Sequence, residues 1–132
     1  MSEAPKGNVL LVEDDEQVRL FIRMLLASNG YRVLEASNGA EGLKIAQAEG
    51  SNIDLLLSDM LLPELSGFDL AQKAIESNPQ LKILFMTGYV EGDIVQRCIS
   101  ELGASFLDKP FQPSVLLSRV HDAIAAAPNE VA

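Results

Sequence analysis

Short apolar runs alternate with longer amphipathic patterns five times along the chain. Apolar and polar residues do not alternate within these runs, which is typical of parallel strands covered on both faces. The runs are Val9–Val12, Tyr31–Ala36, Ile53–Leu57, Leu81–Met86 and Ser105–Leu107. The pattern therefore predicts five strands of one parallel sheet.

The segment after each run carries apolar residues at the spacing of one helix face. These residues are Val18, Phe21, Ile22, Leu25 and Leu26 in the first helix, Ala40, Leu43 and Ala46 in the second, Leu70, Ala71, Ala74 and Ile75 in the third, and Val95, Cys98, Ile99 and Leu102 in the fourth. The fifth helix is predicted from Pro113 to about Ala127. Helix-ending residues follow the patterns at Asn29-Gly30, Gly50, Asn78-Pro79, Gly103 and Pro128.

Five strand–helix units predict a doubly wound α/β sandwich. Because crossovers between parallel strands are right-handed, few topologies remain, and a common five-strand order is 2-1-3-4-5. We therefore predict one α/β domain at residues 7–127, a single doubly wound five-stranded parallel sheet of that order flanked by five helices, with flexible tails at 1–6 and 128–132. Ligands bind such sheets beyond the carboxyl ends of the strands.

Composition narrows the class of protein. The 132 residues are one domain in length, and the net charge of −9 disfavours nucleic-acid binding by this domain alone. No apolar stretch reaches the roughly 18 residues that a membrane span needs, and the N-terminal residues lack the layout of a signal peptide. The one cysteine, Cys98, cannot form an internal disulfide, so we expect a reducing, cytoplasmic location. Because Cys98 lies on an apolar helix face, we expect it to pack in the core. His121, the one histidine, is expected to be a solvated helix residue.

Acid, hydroxyl and amine groups follow four of the predicted strands. They are Glu13, Asp14 and Asp15 after the first, Asp59 after the third, Thr87 after the fourth and Lys109 after the fifth. Crowded carboxylates repel unless a cation intervenes, and oxygen ligands suit Mg²⁺ (or Mn²⁺). An aspartate carboxylate can attack phosphorus to form an acyl phosphate. The metal, Lys109 and Thr87 would then each stabilise one oxygen of the transferred group.

The segments that hold these residues resemble the receiver domain of two-component response regulators, a CheY-like family with a flavodoxin-like fold. They are "VLLVEDDE", "SDMLLPELSG", "ILFMTGY" and "FLDKPF", and they occur in the family's order over roughly residues 7–126. "FMTGYVEGD" and "FLDKPF" are most similar to receivers attached to hybrid sensor histidine kinases. One such segment is weak evidence, but all four at the predicted strand ends are strong evidence.

The resemblance implies a role for each matching residue. Asp59 is the implied phosphoacceptor, with Thr87 and Lys109 as the other catalytic groups. Thr87 and Phe106 are the implied switch residues, and Lys109-Pro110 is the implied cis peptide bond. Pro63 and Gly67 fit the turn and the start of the third helix, where glycine can approach the site backbone closely.

A divalent metal site is implied in the same way. Its ligands are Glu13, Asp14, Asp59 and the backbone carbonyl of Leu61. Asp15 is a less favoured alternative to Asp14, because "VEDDE" aligns with the family pattern in two ways.

The resemblance also implies phosphorelay signalling by a phosphoacceptor domain that is not itself an enzyme. A histidine kinase or histidine phosphotransfer protein would donate the phosphoryl group. A docking partner would bind the face formed by the fourth helix, fifth strand and fifth helix, where Val90, Ile94 and Phe111 are candidate apolar contacts. A phosphorylation-dependent dimer is a further expectation. Leu61 and Tyr89, two residues beyond Asp59 and Thr87, would restrict water and prolong the phosphorylated state.

Other functions remain as alternatives. An aspartate-nucleophile phosphatase of the haloacid dehalogenase type needs a second acid two residues after the nucleophile, where this chain has Leu61. A flavin binder needs a phosphate loop after the first strand, where four acidic residues stand. A pseudo-receiver would lack the complete site. The receiver is either a free-standing regulator or a fragment of a hybrid sensor histidine kinase.

Overall fold

The computed structural model describes residues 6–62, 64–88 and 92–125. Within these ranges, five strands and five α-helices alternate, with one short 3₁₀ helix before the third strand. They are β1 Asn8–Val12, α1 Glu16–Ser28, β2 Arg32–Ala36, α2 Gly39–Glu49, the 3₁₀ helix Gly50–Asn52, β3 Leu55–Asp59, α3 Gly67–Ser77, β4 Lys82–Thr87, α4 Gly92–Leu102, β5 Ser105–Asp108 and α5 Pro113–Ala125. All strand pairs are parallel and their order is β2-β1-β3-β4-β5. The predicted fold class and topology are confirmed.

The core forms two layers, one on each face of the sheet. Successive side chains of a strand point to opposite faces, so Leu56 belongs to one layer while Leu55 and Leu57 belong to the other. The first layer packs beneath α2, α3 and α4, and the second beneath α1 and α5. Every residue of β3 is buried, because β3 is the central strand and both of its faces are covered.

Besides Ala40 of α2, which is exposed, two large apolar helix positions lie outside the core, contrary to prediction. Phe21 of α1 is 48% exposed and Ile99 of α4 is 47% exposed, whereas Ile22 and Cys98 beside them are fully buried. Successive helix residues are about 100° apart, so only a narrow stripe of each helix reaches the sheet. The predicted stripes were too wide by one residue in these two helices. Cys98 is a core residue and His121 is exposed, as predicted.

The boundaries of β3 also differ from the prediction. The apolar pattern predicted a strand at Ile53–Leu57, and the observed strand is Leu55–Asp59. Ile53 is buried, but it follows the 3₁₀ helix and precedes the exposed Asp54. The apolar run therefore begins two residues before the strand does. The shift makes Asp59 the last residue of β3 itself.

Some predictions fall on parts of the chain that the structure does not describe. They concern the turn at Pro63, the side chains of Tyr89 and Val90, the end of the fifth helix beyond Ala125, and the tails apart from Lys6. Within the described ranges, no helix combines the length and apolar character that crossing a bilayer requires.

Candidate functional site

A cleft of about 360 Å³ opens at the carboxyl edge of the sheet, where β1, β3, β4 and β5 end. The parallel ladder brings distant parts of the chain together there. The backbone N–H of Lys109 donates to the carbonyl of Thr87 at 2.8 Å, which extends the pairing of β4 with β5 beyond the last strand residues. The predicted catalytic and metal-binding residues all line this cleft: Glu13, Asp14, Asp15, Asp59, Leu61, Thr87 and Lys109.

The Lys109 ammonium joins two buried carboxylates. Its Nζ lies 2.5 Å from Asp59 Oδ1 and 3.0 Å from Glu13 Oε1. Asp59 is 7% exposed and Glu13 is 1% exposed, so neither is well solvated. Burial acts to lower the pKa of Lys109, but hydrogen bonds to Asp59 and Glu13 outweigh it and the net pKa is raised. Lys109 is therefore a cation at neutral pH.

Three carboxylates converge on the same point of the cleft. One oxygen each from Glu13, Asp14 and Asp59 lies within 4.8 Å of the other two. Burial, followed by a hydrogen bond with Asp59, raises the pKa of Glu13, and a hydrogen bond with Glu13 raises the pKa of Asp14. Burial and the hydrogen bonds among these carboxyl groups disfavour their charged forms, a cost that a divalent cation would offset. An all-oxygen donor set with an open, solvent-facing side is the kind that suits Mg²⁺.

Asp15 has a different role from its two neighbours. Its carboxylate accepts hydrogen bonds from the backbone N–H groups of Gln17 and Val18 at 2.9 and 3.1 Å, which caps the N-terminus of α1. Its own N–H donates to Glu13 Oε2 at 3.1 Å. A carboxylate committed to a helix cap is poorly placed to bind a cation as well, so the arrangement favours Asp14 over Asp15 in the acidic cluster.

The start of α3 lies directly behind Asp59. The N–H of Gly67 donates to the carbonyl of Met60 at 2.9 Å. A Cβ atom at Gly67 would stand 2.3 Å from the Asp59 carbonyl oxygen, so only glycine allows this approach. The close approach that the sequence predicted for Gly67 is present.

The implied switch residues occupy neighbouring strands. Thr87 is the last residue of β4 and half-buried at the cleft. Phe106 of β5 is half-buried, and its ring centroid lies 5.9 Å from that of Phe85. On the predicted docking face, Ile94 is 44% exposed, while Phe111 is half-buried and packs against the layer beneath α5. The Lys109–Pro110 peptide bond is cis.

The sequence analysis missed an arginine whose side chain contacts the site backbone. Arg19 of α1 donates from Nη1 to the carbonyl oxygen of Glu13 at 2.8 Å. The available signal was its position, four residues after Asp15 and therefore one helical turn above the acidic cluster.

The raised pKa of Glu13 predicts a pH dependence of stability in the absence of metal. The folded state holds the Glu13 proton more tightly than the unfolded state, so this contribution is fully present below the ordinary value of 4.5 and is lost as pH rises through the raised pKa. We expect wild type to lose stability relative to Glu13→Gln over that window. Urea unfolding from about pH 4 to 8 measures this difference. If wild type instead gains stability relative to Glu13→Gln as the pH rises, the prediction is wrong.

The fold and cleft together define a doubly wound α/β domain with an acid-and-amine site at its strand ends. Residues 9–121 match the family described as response regulator receiver domain. The chain belongs to this family and is a receiver domain of two-component signalling.

Individual relatives agree with this assignment. The response regulator receiver protein CpdR of Brucella abortus is 35% identical over 119 residues, which are 90% of this chain and 98% of that protein. The sensor kinase CckA of Brucella abortus is 34% identical over 116 residues, 88% of this chain but 12% of that protein. A solved receiver domain from hybrid histidine kinase CckA superposes with a TM-score of 0.78 and 36% identity, covering 89% of this chain and 99% of that one.

A second solved structure contains a metal. It is the receiver domain of sensor histidine kinase PA1611 from Pseudomonas aeruginosa PAO1, with a magnesium ion coordinated in its active site cleft. The TM-score is 0.77 and the identity 26%, covering 91% of this chain and 98% of that one.

Proposed function

We propose that Asp59 accepts a phosphoryl group from a histidine kinase or histidine phosphotransfer protein in a Mg²⁺-dependent reaction. The observation that carries this proposal is the shared contact of Lys109 with Asp59 and Glu13, beside an acidic cluster that suits a divalent cation. The domain would act as a phosphoacceptor for signalling and not as an enzyme with turnover. The receiver unit is taken as residues 7–127, acting in the cytoplasm.

The metal ligands in this proposal are Glu13, Asp14, Asp59 and the backbone carbonyl of Leu61. The three carboxylates already converge, and Leu61 lines the same cleft. The magnesium site of the PA1611 receiver supports the choice of ion. When bound, Mg²⁺ (or Mn²⁺) would neutralise the crowded carboxylates and hold one oxygen of the incoming phosphoryl group.

The chain's own groups supply the rest of the reaction. An Asp59 carboxylate oxygen attacks phosphorus, and the bond from phosphorus to the donor histidine nitrogen breaks as the new bond forms. Transfer of this kind depends mainly on positioning and on neutralising charge. Lys109 would move its ammonium from the free carboxylate to a phosphoryl oxygen, and Thr87 would donate its hydroxyl to another.

Phosphorylation would change the surface formed by α4, β5 and α5. The added charge favours an inward Thr87 hydroxyl, and Phe106 on the neighbouring strand would change rotamer as the space beside it changes. Ile94 is exposed on this surface and is available to a docking partner or a second copy of the domain. This describes a shift between two populations of one fold.

Two biological contexts fit the proposal. The match to CpdR extends over nearly all of that protein, which favours a free-standing regulator. The matches to CckA favour the alternative, a receiver that forms part of a hybrid sensor histidine kinase.

Phosphorylation with a small acyl phosphate tests the proposed function. Wild type incubated with acetyl phosphate and Mg²⁺ should gain one phosphate by intact-protein mass spectrometry, while Asp59→Asn and metal-free wild type should gain none. Asp69→Asn is the matched control, because Asp69 is an exposed residue of α3. Catalytic turnover of phosphate esters would instead favour the phosphatase alternative.

Leu61 should prolong the phosphorylated state. Its side chain is 82% exposed at the cleft, where an apolar group offers no hydrogen bond to an attacking water. We expect Leu61→Asn to lose phosphate about tenfold faster, the effect of roughly 1.4 kcal/mol of transition-state stabilisation. The decay of purified phosphoprotein at fixed Mg²⁺ measures this. Equal or slower decay in the variant would contradict the prediction.

A further inference from the structure

The main chain of Glu13 is held at both ends by groups outside its own loop. Its N–H donates to the carbonyl of Ala36, the last residue of β2, at 3.1 Å. Its carbonyl accepts from Arg19 Nη1 at 2.8 Å. Because the peptide group is planar, fixing the Glu13 carbonyl also fixes the direction of the following N–H and the position of the Asp14 Cα atom.

Asp14 depends on this contact more than the other two acids do. Asp59 is fixed within the buried end of β3, and the Glu13 side chain is tied to Lys109 and to the Asp15 N–H. Asp14 is exposed, so packing around its side chain does little to orient it. The orientation of the peptide plane before it and a hydrogen bond with the Glu13 carboxyl group are therefore the main restraints on its carboxylate.

Arg19 is itself held in place by an ion pair. Its Nε lies 3.7 Å from Glu35 Oε1, and Arg23 Nε lies 3.2 Å from the other oxygen of the same carboxylate. The Arg19 side chain is 19% exposed and that of Arg23 is 39% exposed. Arg19 and Arg23, one helical turn apart, thus share Glu35 as their ion-pair partner. Of the two, Arg19 is the one that also donates a hydrogen bond to the site backbone.

We propose that Arg19 is a positioning residue for the divalent cation, acting through the Glu13 carbonyl to aim the Asp14 carboxylate. The inference rests on the proposed metal-dependent function and adds a residue to it. A positioning role and a long-range electrostatic role of Arg19 predict opposite changes in cation affinity when the residue is replaced. Loss of a positive charge beside an acidic site strengthens cation binding by Coulomb attraction, whereas loss of the restraint on Asp14 weakens it.

The test compares Arg19→Met with Arg23→Met. Each change removes one positive charge and one ion pair with Glu35, but only the first removes the hydrogen bond to the Glu13 carbonyl. Titration of metal-free protein with Mn²⁺, followed by the electron paramagnetic resonance signal of the free ion, gives the affinity without any phosphorylation. We expect Arg19→Met to bind about tenfold more weakly, as for outer-sphere partners of metal ligands. Arg23→Met should bind as wild type or slightly more tightly.

A second readout separates positioning from general loss of stability. The backbone ¹⁵N–¹H signal of Asp14 in metal-free protein should shift in Arg19→Met and stay in place in Arg23→Met. If Arg19→Met does not fold, Arg19→Lys replaces it, since lysine keeps the charge but does not bond the carbonyl and Glu35 in the same fork. Unchanged or tighter Mn²⁺ binding by the Arg19 variant overturns the inference. Failure of wild type to bind Mn²⁺ overturns the proposed metal-dependent function itself.

Discussion

Lys109→Met should slow phosphorylation of Asp59 by about 10²- to 10³-fold, the usual consequence of removing one charge-stabilising donor from a reaction centre. Lys109 is the group that contacts both Asp59 and Glu13, so its loss leaves two poorly solvated carboxylates facing each other. Methionine retains the approximate length and apolar stem of lysine. The rate of phosphate incorporation from acetyl phosphate at saturating Mg²⁺ measures the effect.

Stability provides a second readout for the same variant. Breaking a buried ion pair costs several kcal/mol, but Lys109 is 31% exposed and solvent reduces the effect to about 1–2 kcal/mol. The double variant Lys109→Met with Glu13→Gln should recover most of this loss, because the uncompensated Glu13 charge is absent. If Lys109→Met is phosphorylated at the wild-type rate, the ammonium has no part in the reaction.

The sequence predicted which residues lie at the carboxyl edge of the sheet, although β3 ends two residues later than predicted. In a parallel sheet every strand delivers its last residue to one edge, so a residue type that follows an apolar run is placed in space by topology alone. Asp59, Thr87 and Lys109 are far apart in the chain and yet line one cleft for this reason.

The choice between Asp14 and Asp15 could not be made in this way. Asp14 and Asp15 both follow the end of β1 within three residues. The apolar pattern does not distinguish between neighbouring residues there. The choice depends on where α1 begins: once Asp15 caps that helix, its carboxylate is occupied by backbone N–H groups and Asp14 is left for the cleft. Cap geometry therefore favours Asp14 over Asp15 in the acidic cluster.

Tertiary contacts account for the remaining differences. The Arg19 side chain lies on α1 and contacts the Glu13 carbonyl, which precedes the N-terminus of that helix. The pattern of apolar and polar residues does not indicate such a contact. The exposure of Phe21 depends on how closely α1 lies against the sheet, and its sequence neighbour Ile22 is fully buried. In both cases the contacts of the residue depend on how α1 packs, and the local sequence does not determine this packing.

We expect Gly67→Ala to lower the free energy of unfolding strongly. A Cβ at this position would stand 2.3 Å from the Asp59 carbonyl oxygen and 2.9 Å from the Met60 Cα. Both are backbone atoms, and the Asp59 carbonyl also accepts the Ser58 hydroxyl at 2.8 Å in a buried position. The clash is therefore relieved only by moving α3 away from the end of β3, at a cost of about 3 kcal/mol or more.

Gly92→Ala is the matched control for this change. Gly92 is the first residue of α4 as Gly67 is of α3. A Cβ at Gly92 would meet no atom within 4 Å among the described residues beyond its chain neighbours and its own helix backbone. Alanine there should be neutral or stabilise the fold by about 0.4–1 kcal/mol, since it restricts the unfolded chain. Urea unfolding of both variants gives the comparison. Equal stability would mean that α3 shifts without cost, and then the position of Asp59 would not depend on the close contact at Gly67.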